Sequence, residues 1–337
     1  MTRGVVLVTG ITGFIGTHTA LAFLEAGYDV KGTARSTAKA EGWIAHFPAY
    51  KACYTYAVVE DIAAAGAFDE AVKGCDIIAH IASPAHWSQS DNEADLLIPA
   101  INGTKNVLYA TKHEPRITRV VFTSSLAAII EPSREPGKLV VETEWNPTTY
   151  EEAKVSTNAP VVYRASKALA ERAFWDYIKD EKPTWAGSTI CPCATSGPPI
   201  QPLTSLAALN TSVAFMWDLA SGKFKDSVPP GPPVHVDVRD VALAHVRAVE
   251  RDVAKNQRYL LVAGSHIPDE FTDVIRRHFP TLRDNLPPVD LSKARQSNFK
   301  FDASKVQREL GIQFTPLATM VVDTMNTILL LQEHFGV

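Results

Sequence analysis

Cysteine is scarce. Four residues in a chain of 337 cannot build the disulfide framework that small secreted domains rely on. A reducing compartment is therefore expected, with the cytoplasm as its simplest form. Cys191 and Cys193 stand two apart, but no second ligand pair with zinc-like spacing accompanies them, so no metal is expected. Long apolar runs are missing too. No stretch reaches the roughly 18 continuous apolar residues of a membrane span. The run after Arg3 is broken by Gly10, Gly13 and Gly16 and has no cleavage site, which reads as a strand and not a signal peptide. Charge of one sign is also lacking: 33 Lys and Arg face 37 Asp and Glu, and no basic run stands out, so no nucleic-acid footprint is present. Internal repeats, low-complexity tracts and heptads are absent as well. What remains is a chain whose 46% hydrophobic content can fill one large core and a smaller lobe.

The first positive signal is Val5-Val6-Leu7-Val8, an apolar run without alternation, as expected of a central parallel strand buried on both faces. It leads into Thr9-Gly10-Ile11-Thr12-Gly13-Phe14-Ile15-Gly16 and then a helical pattern that runs to Gly27. Glycines at 10, 13 and 16 suit a tight strand-to-helix turn whose backbone can approach a pyrophosphate at the positive end of the helix. The spacing is G-x-x-G-x-x-G, one residue longer than the common dinucleotide-binding G-x-G-x-x-G. Further strand candidates follow at 28–33, 53–59, 76–81, 118–124 and 184–190, separated by helical patterns, the longest around 94–112 and 161–180. This alternation predicts an α/β fold: a Rossmann-type doubly wound parallel sheet with a smaller C-terminal substrate lobe. The proline-rich stretches 191–199 and 228–233 cannot continue regular structure. They divide the chain into a dinucleotide-binding domain, 1–190 plus about 234–257, and a lobe made of 191–233 and about 258–337.

Tyr163 and Lys167 lie one turn apart on the same face of the later long helix. A nearby ammonium favours the phenolate and is expected to bring the tyrosine pKa down from about 10 towards neutrality. A second buried-strand pattern, Val120-Val121-Phe122-Thr123-Ser124-Ser125, ends in hydroxyls that should open onto the same crevice as the glycine loop.

Taken together, these residues resemble the extended short-chain dehydrogenase/reductases, in particular the branch of dihydroflavonol 4-reductases, cinnamoyl-CoA reductases and fungal NADPH-dependent aldehyde and ketone reductases. The likeness spans nearly the whole chain. Besides the glycine loop it takes in 32–35, Asp61-Ile62, His80-Ile81-Ala82-Ser83-Pro84, 102–108, Gly197-Pro198, 236–242 and 301–305. The resemblance implies Ser125, Tyr163 and Lys167 as catalytic residues, with Ser125 preferred over Ser124 because the family's serine closes the Thr-Ser-Ser run. It implies hydride transfer to a carbonyl, with Tyr163 protonating the developing alkoxide, Ser125 donating a hydrogen bond to that oxygen and Lys167 holding the nicotinamide ribose. Pro192, Cys193 and Thr195 should pass near the nicotinamide, and Cys191 stands where relatives carry Asn. Asn102 either supports a water relay or ties a helix to its neighbours.

Cofactor choice follows from the second strand. NAD-preferring sites place an acid at the strand exit, but the only acid here, Asp29, is at the entrance. Ala34 and Arg35 occupy the exit, and an arginine there can clasp a phosphate. Lys39 is a second cation, as in the related reductases. NADPH is the expected cofactor, with Thr9, Gly10, Thr12, Gly13, Phe14, Ile15 and Gly16 along its pyrophosphate, Asp61 and Ile62 flanking the adenine, and Ala82, Ser83 and Pro84 lining the groove.

The substrate is read as a small-molecule carbonyl compound, lipophilic because no Arg and Lys cluster marks the lobe. His86, Trp87, Phe215 and Trp217 are either pocket-lining or ordinary core; Trp87 and Phe215 are the substrate candidates. A nucleotide-sugar epimerase or dehydratase shares the fold. Against it stand Leu126 and Ala127 after Ser125, where a dehydratase would carry acids, and Ala34-Arg35, which disfavour NAD. A non-catalytic NADPH-sensing module is the third class, and an intact Ser125, Tyr163 and Lys167 speaks against it. A monomer or homodimer is expected.

Overall fold

The computed structural model describes residues 2–83, 90–130, 137–292 and 300–336. In chain order the strands are β1 (Val5–Val8), β2 (Asp29–Ala34), β3 (Tyr54–Val58), β4 (Ile77–His80), β5 (Arg119–Thr123), β6 (Leu139–Val140), β7 (Ala186–Pro192), β8 (Thr195–Ser196), β9 (Val234–Asp237), β10 (Gln257–Leu261), β11 (Gly264–Ser265) and β12 (Lys300–Phe301). The helices are α1 (Phe14–Glu25), α2 (Thr37–His46), α3 (Ile98–Ala110), α4 (Tyr150–Val155), α5 (Ala159–Glu181), α6 (Thr211–Ala220), α7 (Val238–Glu250), α8 (Pro268–His278), α9 (Ser304–Leu310) and α10 (Leu317–Phe335). Among the described residues no helix is long and apolar enough to cross a membrane.

Seven strands form one parallel sheet in the order β10-β7-β5-β4-β1-β2-β3. The alternation of side chains across a strand explains why its central strands carry unbroken apolar runs. Val6, Val8, Ile77, Ala79 and Val121 enter one buried cluster, with Phe23 of α1 and Val241 of α7. Leu7, Ile78, Val120 and Phe122 enter another on the opposite face, with Val107 of α3 and Phe174 of α5. Both faces are covered, so the middle positions of these strands are apolar. The expected doubly wound sheet is the one found.

Three elements depart from the sequence expectations. β7 continues through Pro192, which was expected to end regular structure. Pro192 is the last residue of the strand, paired only with Leu261 of β10, where a missing N–H costs no bond on the β5 side. The boundary near 257 falls at the start of β10, which is the edge strand of the main sheet. Ala303, Val306, Leu310 and Ile312, around α9, join the same buried cluster as Val6 and Tyr259. The chain therefore returns to the main body twice more than the sequence division allowed. A separate cluster of Val213 and Met216 (α6), Phe271 and Ile275 (α8) and Met320, Val321 and Met325 (α10) forms the core of a second, helical lobe.

Candidate active site

The glycine loop joins the end of β1 to α1. Gly10 has φ +68°, in the left-handed region, and a Cβ there would lie 3.2 Å from the Ala82 Cα. A Cβ on Gly16 would lie 2.1 Å from the Gly10 carbonyl oxygen, so the first turn of α1 is pressed onto the loop as only glycine allows. Gly13 caps α1 and is exposed, Thr12, Phe14 and Ile15 are half-buried, and no acidic side chain stands in the first turn. That turn presents a positive helix end to an anion without a competing carboxylate. Phe14 also packs against the helical-lobe core, so loop and lobe touch.

The Thr9 side chain ties the glycine loop to the end of β4. Its buried Oγ1 accepts the N–H groups of Ile81 and Ala82, both at 2.9 Å, and lies 3.0 Å from His80 Nδ1. With two donors already received, the Thr9 hydroxyl donates to His80, whose pKa is pulled down to about 3 by burial and then by the Lys167 charge. The neutral ring accepts, and the ends of β1 and β4 are locked together.

At the adenine side, β2 ends on buried Ala34 and exposed Arg35; Ser36 caps α2 by accepting the Lys39 N–H at 3.4 Å. The side chains of Arg35 and Lys39 make no ion pair or hydrogen bond among the described residues, which leaves two cations over one helix N-terminus. Asp61 Oδ1 accepts the Ala63 N–H at 2.8 Å. The loop is held by Asn106, whose Nδ2 donates to the carbonyls of Ile62 (2.9 Å) and Ala64 (2.8 Å). Asn102, offered as such a tie, makes no side-chain hydrogen bond among the described residues. The tie is one helical turn further along.

Ser125, Tyr163 and Lys167 meet beyond the end of β5. Ser125 Oγ accepts the Ala127 N–H at 3.1 Å, which fixes its oxygen and leaves its own proton to donate. It also reaches the Tyr163 hydroxyl. Lys167 Nζ lies 5.4 Å from the centre of the Tyr163 ring and donates to Ser83 Oγ at 2.8 Å. Burial dominates both titrations: it raises the Tyr163 pKa, against which the Ser125 hydrogen bond works, and holds Lys167 down to about 8. The expected lowering of the tyrosine pKa by Lys167 is thus corrected. The ammonium faces the ring, and desolvation of the phenol outweighs it.

The loop after β7 lies alongside: Ser124 N–H donates to the Ile190 carbonyl at 2.8 Å, Cys193 is buried, and Thr195 Oγ1 donates to the Cys193 carbonyl at 3.0 Å. Cys191 does not face this loop. Its Sγ lies 3.8 Å from both carboxylate oxygens of Glu171, and burial, then that carboxylate, push its pKa up to about 12. Phe215 on α6 is half-buried, packed on the lobe core with Phe271 at 6.4 Å between ring centres. Pro84, His86 and Trp87 lie outside the described residues.

Sequence reading missed Glu171 and Arg258, a pair 0% and 8% exposed whose Nε–Oε1 and Nη2–Oε2 distances are both 2.7 Å. Glu171 follows Tyr163 and Lys167 at the same four-residue spacing, a signal that could have placed it on their helix face.

Ligands of doubly wound sheets bind where the strand order reverses, and here the reversal falls between β1 and β4, beneath the glycine loop. The molecule is a dinucleotide-binding α/β protein. The chain belongs to the NAD dependent epimerase/dehydratase family, whose sequence pattern matches residues 6–213. It is 40% identical over 333 residues to the ketoreductase azaE of Aspergillus niger, covering 96% of this chain and 97% of that one. It is 32% identical over 338 residues to the NADPH-dependent methylglyoxal reductase GRE2 of Saccharomyces cerevisiae, covering 96% and 98%. The crystal structure of Gre2 from Candida albicans in complex with NADPH superposes with a TM-score of 0.88 at 36% identity, covering 96% and 98%. The likeness to the reductase branch, first drawn from motifs, is borne out by these relatives.

Proposed function

We propose that this chain is an NADPH-dependent reductase that converts an aldehyde or ketone to the alcohol. The observation that carries this reading is the meeting of Ser125, Tyr163 and Lys167 beyond β5, beside the glycine loop. Relatives named as a ketoreductase and as an NADPH-dependent methylglyoxal reductase support the reaction class, and the NADPH complex of Gre2 supports the cofactor.

The residues fit the cofactor. The crowded contact of Gly16 on Gly10 and the acid-free first turn of α1 suit a pyrophosphate against Gly10, Thr12, Gly13, Phe14, Ile15 and Gly16. Arg35 and Lys39 suit a 2′-phosphate. Asp61 and Ile62 would flank the adenine, with Ala82, Ser83, Pro192, Cys193 and Thr195 along the groove. When bound, NADPH supplies the hydride. Tyr163 gives its proton to the substrate oxygen, and its raised pKa keeps that proton in place until charge develops there. Ser125, its oxygen fixed by the Ala127 N–H, donates to the same oxygen and stabilises the growing charge. Lys167 offers its ammonium to the ribose hydroxyls.

The helical lobe, with half-buried Phe215 and its contact to Phe14, is assigned to the substrate. A cytoplasmic setting belongs to the same proposal, supported by four free thiols. The test is NADPH consumption across a panel of aldehydes, ketones, keto esters and nucleotide sugars. Turnover confined to nucleotide sugars would overturn it.

A further inference from the structure

The carboxylate of Glu171 is the most densely bonded group near the reaction centre. It accepts Ser124 Oγ at 2.6 Å from the end of β5 and Thr189 Oγ1 at 2.7 Å from β7. From β10 it receives Arg258 Nε and Nη2, each at 2.7 Å. Trp175 Nε1 at 3.3 Å and the Cys191 thiol complete the set. Arg258 goes on to the carbonyl of Glu142 at 2.8 Å and to that of Glu144, and its guanidinium lies 3.8 Å from the centre of the Trp145 ring. Next in sequence, Asn146 binds back to the carbonyls of Ala128 (2.9 Å) and Ala127 (3.2 Å), in the turn that follows Ser125.

Two features separate this cluster from ordinary core. Glu171 shares a helix face with Tyr163 and Lys167, so whatever fixes its carboxylate fixes the rotation and height of α5 against the sheet. Ser124, which it grips, is the neighbour of Ser125. A buried ion pair contributes little net stability compared with apolar side chains of similar volume. A pair that bonds directional groups from three strands nevertheless defines one geometry well.

We propose that Glu171, held by Arg258, is a positioning residue: through Ser124 and α5 it sets the Ser125 hydroxyl against the Tyr163 phenol. This rests on the reductase reading above. Cys191 serves the same carboxylate from β7 and takes no part in binding the cofactor.

The experiment compares wild type with Ser124→Ala, which removes one bond and leaves the Glu171–Arg258 ion pair intact, and Glu171→Gln, which keeps shape and loses charge. Single-turnover NADPH oxidation with the best carbonyl substrate of the panel separates amplitude, the folded active fraction, from rate constant, the chemistry. The expected result is a rate constant lower by about 10-fold for Ser124→Ala and by roughly 10- to 100-fold for Glu171→Gln, the scale of a misplaced reacting group. NADPH affinity of Ser124→Ala should stay within about twofold, since that change spares every group offered to the cofactor. Loss of amplitude at unchanged rate constant in Ser124→Ala would reduce the cluster to a stability element and overturn the proposal, even if Glu171→Gln does not fold. A wild type inert towards every carbonyl would overturn the reductase reading itself, and positioning with it.

Discussion

Lys167 and Ser83, 84 residues apart in the chain, meet in a 2.8 Å hydrogen bond that joins α5 to the loop after β4. The bond brings together two residues that the sequence assigned separately to catalysis and to the cofactor groove. It also lies in a buried setting that makes Lys167 titrate at about 8.

NADPH affinity should therefore fall as pH rises through 8, because the ammonium offered to the ribose is the protonated form. Stability should move the other way. The folded pKa is below the unfolded value of about 10.4, so burying the charge costs stability below pH 8, and that cost is relieved between about 8 and 10.4. Fluorescence titration with NADPH from pH 6.5 to 9.5 checks the first statement. A flat profile would place the ammonium outside the binding step.

Tyr163→Phe should lower turnover by roughly 10²- to 10⁴-fold, the usual contribution of a general acid. The dissociation constant for NADPH should hardly change, because the phenol serves the reacting oxygen. Equal turnover in mutant and wild type would remove Tyr163 from the chemistry.

Ser125→Ala should slow the chemical step by roughly 10²- to 10³-fold, as for a lost oxyanion donor, with the fold intact. Its effect should exceed that of Ser124→Ala. A reversed order would put the wrong serine at the substrate.

Arg35→Ala should weaken NADPH by roughly 10- to 150-fold, the equivalent of one charge-assisted hydrogen bond of about 1.5–3 kcal/mol. NADH constants should barely move, and adding Ala34→Asp should favour NADH. Catalytic efficiencies with both cofactors decide this. A parallel loss would make Arg35 a support of the loop.

Thr9→Val should destabilise the protein by about 1–3 kcal/mol, because the part-buried N–H groups of Ile81 and Ala82 would both lose their acceptor. Urea denaturation measures it. A change below about 0.5 kcal/mol would mean that another acceptor replaces the hydroxyl.

The sheet was legible wherever burial on both faces forced unbroken apolar runs, as in β1, β4 and β5. The glycine loop was legible because its glycines answer contacts within a few residues of chain. Glu171 and Arg258 were not. A glutamate in a helix and an arginine in an edge strand read as solvated charges, and only pairing across 87 residues buries them. Thr9 was legible as a conspicuous residue, but its bonding partners at and just after the end of β4 lie more than 70 residues away, so these bonds were not legible. The domain boundary failed for a related reason: a strand paired on one side, then a short helix beyond the lobe, leave a weak periodic signal.

That late return of β10 bears on the order of assembly. A nascent chain released only as far as Glu250 already holds six strands of the sheet and the entire face of α5, yet its Glu171 carboxylate still waits for a guanidinium that has not been made. Until β10 docks, the helix bearing Tyr163 and Lys167 has an uncompensated charge against the sheet. During synthesis the bonds that hold Glu171 are thus complete only after β10 has emerged, and fragments ending before Arg258 should bind substrate and cofactor poorly however well their glycine loop is formed.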